Sequence, residues 1–305
     1  MKSMELNHKD FIRLEYGFRE WLSLLGYAGT SVYGIPNSIR EFLAWLEQNR
    51  IFDINNITSD HVNEYFETLR HRINTRREGG LSNSYLNKHS QALKRFSTYL
   101  RETSGNGFSV EIKTIKQERN IKDVLTIKEV QLLFDATNDT ALGLRDRVML
   151  SIYYGCGLRR NEGIQMDTDD ILFDRKLLYI RKGKNYTERY VPVREKIIKY
   201  IADYINSGRT ALIRESHSGN AFLLSERGER INGQSLLLRL KQLKEATGDT
   251  ELMQKNIGLH SLRHSIATHL LMQGMKLERI AQFLGHKSLE STQVYAHTAA
   301  ELEGK

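Results

Sequence analysis

The chain has 305 residues, 40% of them hydrophobic and 27% charged, which supports a sizeable core in two ordinary domains and excludes a disordered chain. A net charge of +8 favours a polyanionic partner, nucleic acid first among them, and the lone Cys156 excludes an internal disulfide and fits a reducing compartment. No apolar run reaches membrane-spanning length and the opening Met1–Leu6 is polar, so neither membrane association nor secretion is expected, and the expected location is the cytoplasm.

The first hundred residues carry helical periodicity. Phe11, Leu14, Phe18, Trp21, Leu22 and Leu25 recur at three- and four-residue steps, and residues 26–30, from Gly26 to Thr30, break the pattern. A second helix is predicted from about Pro36 to Gln48, with Ile39, Phe42, Leu43 and Leu46 on one face. Thr58-Ser59-Asp60 caps a third, which carries Val62, Tyr65, Phe66 and Leu69. A fourth carries Tyr85, Leu86, His89, Leu93, Phe96 and Leu100. Short breaks between helices of this kind predict a small bundle over residues 1–104. Arg70, Arg72, Arg76 and Arg77 follow the third helix, and Lys88, Lys94 and Arg95 lie on the fourth. They serve equally as a solvated face or as a grip on phosphates.

Residues 105–122 combine Gly105-Asn106-Gly107 with a lysine-rich polar stretch and read as a linker. Residues 123–305 then form the second domain. Thr126 and Glu129 have capping-box spacing ahead of Val130, Leu132, Leu133 and Phe134. Val148 to Tyr154 is an apolar helix ending near Gly155 and Gly157. Leu178-Tyr179-Ile180 and Arg189-Tyr190-Val191-Pro192-Val193 flank a polar turn and predict a β-hairpin, and helices are expected from Glu195 to the end. The fold class expected is mainly α, a helical bundle followed by a mostly helical domain with a small antiparallel sheet.

The chemistry concentrates in the last fifty residues, where His260, Arg263, His286 and Tyr295 stand at spacings of 3, 23 and 9. Arg263 offers a planar fork that matches two phosphate oxygens, and Arg159, after the Gly155-Cys156-Gly157 turn, is a natural second clamp. Two such cations stabilise the extra charge of a pentavalent phosphoryl transition state. A tyrosine titrates near 10 and needs that positive field, or a proton acceptor, to attack at neutral pH. His260 and His286 could bind phosphate or move protons, and Lys182 in the hairpin turn could protonate a leaving oxygen. Taken singly each has an ordinary structural reading: a packing tyrosine, a helix-capping histidine, an arginine paired with Glu162, a turn lysine. Together and in this order they point to cutting and rejoining of DNA. The His260/His264 pair has zinc spacing but lacks the acidic partner of a metalloprotease motif, and no nucleotide-binding loop is present. No metal and no cofactor are expected.

These residues resemble the tyrosine recombinases, also called the phage integrase family. The likeness runs through Arg145-Asp146-Arg147, Gly157-Leu158-Arg159-Arg160-Asn161-Glu162, the hairpin Ile180–Lys184 to Pro192, His260-Ser261-Leu262-Arg263-His264 and Leu284-Gly285-His286 through Tyr295. The front bundle is similar to the family's core-binding, SAM-like domain, and the layout is close to the compact Xer type that resolves chromosome dimers. The resemblance implies Tyr295 as nucleophile, Arg159 and Arg263 on the scissile phosphate, and His260 and His286 as phosphate or proton-transfer ligands. It also implies Lys182 as general acid with Lys184 as its near neighbour, and Glu162 as a support. It implies double-stranded DNA as partner and a homotetramer on paired sites. A type IB topoisomerase and an inactive DNA-binding regulator of the same fold stay open as alternatives at this point.

Overall fold

The computed structural model describes residues 5–75, 78–116, 123–181, 188–214, 217–286, 292, 293 and 295. The chain divides into two compact units, Met1–Arg119 and Asn120–Lys305. The architecture is mainly α with one small antiparallel sheet, as expected.

The first unit contains α1 (Lys9–Leu24), α2 (Gly29–Gln48), α3 (Ser59–His71) and α4 (Asn83–Ser104). The apolar stripes read from the sequence meet in its core: Phe11, Phe18, Leu22, Ile39, Phe42, Leu43, Leu46, Val62, Phe66, Leu93 and Phe96 are all buried. Thr58 accepts from the amide of His61 at 3.4 Å to start α3, and Gly105, at φ 75°, ends α4 in the left-handed region. Two details differ from expectation. Helix α2 begins at Gly29, with Pro36 inside it. Burial of Ile39, Phe42, Leu43 and Leu46 outweighs the hydrogen bond that the proline lacks. The front of the segment read as a linker is also packed. Phe108 and Ile112 are buried, Ser97 Oγ donates to the Phe108 carbonyl at 2.5 Å, and the Asn87 amide bonds both carbonyl and N–H of Ile115 at 2.8 and 2.9 Å.

The second unit opens with α5 (Ile127–Asp135), whose capping box is formed: Thr126 N donates to Glu129 Oε2 at 2.7 Å and Glu129 N to Thr126 Oγ1 at 3.2 Å. Helix α6 (Ala141–Leu150) runs into a π-helical turn, Ser151–Gly155, and then into α7 (Arg160–Gln165). Strands β1 (Ile171–Leu172), β2 (Leu177–Ile180) and β3 (Arg189–Pro192) pair antiparallel in that order. Pro192 is tolerated because β3 is the edge. Helix α8 (Glu195–Asp203) passes through a second π-helical turn to α9 (Thr210–Leu212). Helices do not simply continue from there. Residues 217–232 are irregular, tied by bridges between Asp167 and Ala221 and between Leu224 and Arg230. Buried Phe222, Leu223 and Leu224 there, followed by Ser225, Arg227 and Gly228, give a turn rather than a helical face.

Helices α10 (Gly233–Ala246), α11 (Thr250–Gln254), α12 (Leu259–Met272) and α13 (Leu277–Leu284) follow. Helix α12 is the axle of this unit: Leu259, Leu262, Ile266, Ala267 and Leu270 are buried together with Ser261, Arg263, Ser265 and Thr268. Ser265 Oγ accepts from Leu125 N at 2.8 Å, which fastens the start of the unit to the helix that carries Arg263.

Candidate active site

Three segments converge on one carboxylate. Arg159 is the N-cap of α7, with extended backbone, and Glu162 lies one turn further along. Glu162 folds back to accept from Arg159 N at 2.8 Å and from Arg159 Nη1 at 3.0 Å. From β3, Arg189 adds a bidentate pair to the same carboxylate at 3.0 and 2.9 Å. From α12, Arg263 Nη1 stands 3.8 Å from Glu162 Oε2. Burial alone would push the Glu162 carboxyl up. The Arg189 and Arg159 bonds overcome that and hold it below the usual carboxylate range.

The arginines also reach backbone carbonyls. Arg263 donates to Gly157 O at 2.5 Å and Leu284 O at 2.6 Å, and Arg159 to Leu284 O at 3.4 Å and Gly285 O at 3.1 Å. Two glycines make this possible. Gly157, at φ 61°, lets its carbonyl turn to Arg263, and an added Cβ would lie 2.8 Å from Leu284 Cδ2. Gly285, at φ 66°, ends α13, and the next amide, His286 N, bonds back to Ala281 O at 2.9 Å. Burial, with Arg159 nearby, lowers the Arg263 guanidinium to about 10, still charged at neutral pH.

Tyr295 closes the cluster. It is 3% exposed and packs with Ile266, Leu270, Ile280 and Leu284. Burial raises its phenol above 10, while the positive charges of Arg263 and Arg159 pull the other way. Its ring lies 5.3 Å from that of His264 and 6.1 Å from that of His286, nearly parallel to the latter. His286 is half-buried and its Nδ1 is 2.8 Å from Thr292 Oγ1. Burial first, then Arg263 and Arg159, hold this imidazole down at about 4, so it is neutral at pH 7.

Five of the predicted site residues, Arg159, His260, Arg263, His286 and Tyr295, lie among the described residues; Lys182 lies outside them, as does Lys184. Arg159, Arg263, His286 and Tyr295 come together directly. His260 is exposed in the first turn of α12, one turn before buried Arg263. Arg181, immediately before Lys182, is held by Asp167 at 2.7 Å and Asp170 at 3.0 Å. Sequence reasoning missed Arg189, which reads as a strand residue, and gave Glu162 only a supporting part. An arginine opening a strand opposite a glutamate a turn after Arg159 leaves no local signature. His264, weighed before only as half of a zinc pair, faces the Tyr295 ring.

A sequence profile of the phage integrase family matches residues 123–301, more than half of the chain. The chain belongs to the phage integrase family. Members with assigned activity agree. The tyrosine recombinase XerD of Corynebacterium glutamicum is 31% identical over 295 residues, spanning 93% of this chain and 93% of its own. XerD of Oceanobacillus iheyensis is 32% identical over 230 residues, spanning 74% of this chain and 76% of its own. Solved structures share the fold. The XerH site-specific recombinase bound to palindromic difH substrate superposes with a TM-score of 0.69 at 19% identity, over 96% of this chain and 83% of that one. The Tn1549 transposon integrase in complex with transposon right end DNA gives 0.69 at 16% identity, over 95% of this chain and 98% of that one. This phage integrase family member is an enzyme, a tyrosine-type site-specific recombinase, and these relatives favour neither the topoisomerase nor the inactive-regulator reading.

Proposed function

We propose that this recombinase cuts and rejoins double-stranded DNA with Tyr295 as nucleophile and Arg159 and Arg263 as the phosphate clamp. The observation that carries the assignment is buried Tyr295 packed against the His286 and His264 rings, in the positive field of Arg263 and of Arg159, which Glu162 orients. The phenol gives up its proton to water as its oxygen attacks the scissile phosphorus, the P–O5′ bond breaks, and a 3′-phosphotyrosine and a 5′-hydroxyl result. A 5′-hydroxyl of the partner strand then attacks the phosphotyrosine, the new P–O bond forms, and Tyr295 is released. The arginines stabilise the added negative charge of each transition state. Neutral His286 offers an N–H to a phosphate oxygen, and His260 a second ligand at the start of α12. Lys182 delivers the proton to the leaving 5′ oxygen.

Residues 1–104 act in this reading as a core-binding domain, gripping the DNA backbone through Arg70, Arg72, Lys88, Lys94 and Arg95, with 105–122, packed at its front against the bundle, as linker and 123–305 as catalytic domain. The net charge of +8 supports the DNA partner. Strand exchange takes place in a homotetramer on two paired sites, a reading supported by the family resemblance. No helix among the described residues is long and apolar enough to cross a membrane, and with one cysteine the expected place of action is the cytoplasm. The test is a nicked suicide duplex that traps the covalent adduct. Wild type should form it, and Tyr295→Phe should bind the duplex normally and form none. An adduct with the Phe variant would transfer the nucleophile's role to another residue.

A further inference from the structure

Arg189 is where the catalytic segments are fastened together. Its fork grips both oxygens of Glu162, and its Nε donates to Phe283 O at 3.1 Å, at the end of the helix that leads to His286. The side chain is 8% exposed. Its Nη1 shares Glu162 Oε1 with Arg159 Nη1, both at 3.0 Å. Glu162 therefore stands between three guanidinium groups, and among the described residues the cation closest to Oε2 beyond its hydrogen-bond partners is Arg263, at 3.8 Å.

If Arg189 lost its fork, two acceptor positions on a buried carboxylate would fall open. Burial makes that costly, so the carboxylate would turn to the nearest donor able to replace the lost bonds. That donor is Arg263. A full ion pair there would cancel a charge needed at the phosphate. We propose that Arg189 is a positioning residue for the reaction: by holding Glu162 it keeps the carboxylate behind Arg159 and off Arg263, so that both arginines present their charge to the scissile phosphate. This rests on the two-arginine phosphate clamp stated above. It also explains why a bidentate arginine, rather than a lysine, stands at the edge of β3: only a planar fork occupies both carboxylate oxygens at once.

The experiment compares single-turnover cleavage of two suicide duplexes at saturating protein. One has a normal scissile phosphate. The other has a methylphosphonate there, in which a methyl group replaces one non-bridging oxygen and removes the charge. Partners that orient a reacting group typically contribute about tenfold to a hundredfold. Arg189→Met should cleave the normal duplex slower by about that factor, and its rate ratio of methylphosphonate to phosphate should exceed the wild-type ratio by about tenfold or more. Arg189→Lys should move both quantities in the same direction by less. The ratio within one variant is independent of the fraction folded, so partial misfolding leaves the result readable. An equal loss on both duplexes, or wild-type rates, would overturn the proposal. Arg159→Ala is run beside it. If its defect is relieved by the methylphosphonate and that of Arg189→Met is not, Arg189 alone is misassigned. If neither is relieved, the phosphate clamp itself is wrong.

Discussion

Replacing Glu162 with Gln keeps the side chain's shape and removes its charge. The side chain is 1% exposed, so water cannot make good the change. Oε1 accepts from Arg159 Nη1 and Arg189 Nη1, and Oε2 from Arg159 N and Arg189 Nη2. Whichever oxygen becomes the amide nitrogen, two N–H donors then face a donor. Two charge-assisted bonds are lost, each worth about 1.5–3 kcal/mol, and buried Arg189 and Arg263 lose their counter-charge. Breaking a buried pair from one side costs about 3–5 kcal/mol. For a unit the length of residues 120–305, roughly 2–4 °C per kcal/mol places the loss in melting temperature between about 6 and 20 °C. Thermal unfolding of Glu162→Gln beside Asp139→Asn is the assay. Asp139 is 87% exposed in its pair with Arg147, and its loss should cost under about 1 kcal/mol. A Gln variant that melted within a degree or two of wild type would refute the carboxylate hub.

Acid should weaken the fold in a defined window. His89 is held at about 4 by burial, against the pull of Glu41, and His286 at about 4 by burial and the arginines. The unfolded histidines take up protons near pH 6.5 and the folded ones only near 4, so stability is full above about 6.5 and drains as pH falls towards 4. Urea midpoints should fall across that window, with His89→Gln removing part of the slope; flat midpoints would contradict it. Cys156 is fully buried and its thiol is pushed up to about 12. A thiol reagent should therefore leave the native enzyme unlabelled and label one site in denaturant, and rapid native labelling would show that the π-turn region opens.

Much of this was legible in the sequence because it is local. The periodicity of Phe11 to Leu25, the Thr126/Glu129 capping box and the alternation around Leu178 each report a neighbourhood of a few residues, and each element is present. The candidate set was legible because phosphoryl transfer restricts residue types, so Arg159, Arg263, His286 and Tyr295 stood out as a group before the structure brought them together. What was not legible is set by packing between distant segments. The π-turn at Ser151–Gly155 has no compositional mark, and β1, at two residues, exists only by pairing with β2. The role of Arg189 depends on Glu162, 27 positions away. The early start of α2 reflects burial overruling glycine and proline propensity, which no window around Pro36 reveals.

The carbonyls of Gly157, Leu284 and Gly285 have a consequence for how the site meets DNA. Leu284 and Gly285 lie at the C-terminal end of α13, where the aligned peptide dipoles amount to roughly half a negative charge. The two arginines are thus solvated by fixed backbone dipoles that a phosphate cannot displace as it would displace water. In the proposed phosphate clamp, that shell is in place before substrate arrives, and the surroundings would need little rearrangement when negative charge gathers on the phosphorus. The barrier would then depend on how rigidly α13 is held, so substitutions at Ile280 or Phe283, which pack in the apolar cluster behind these carbonyls, would reach the chemistry by softening a solvent made of protein.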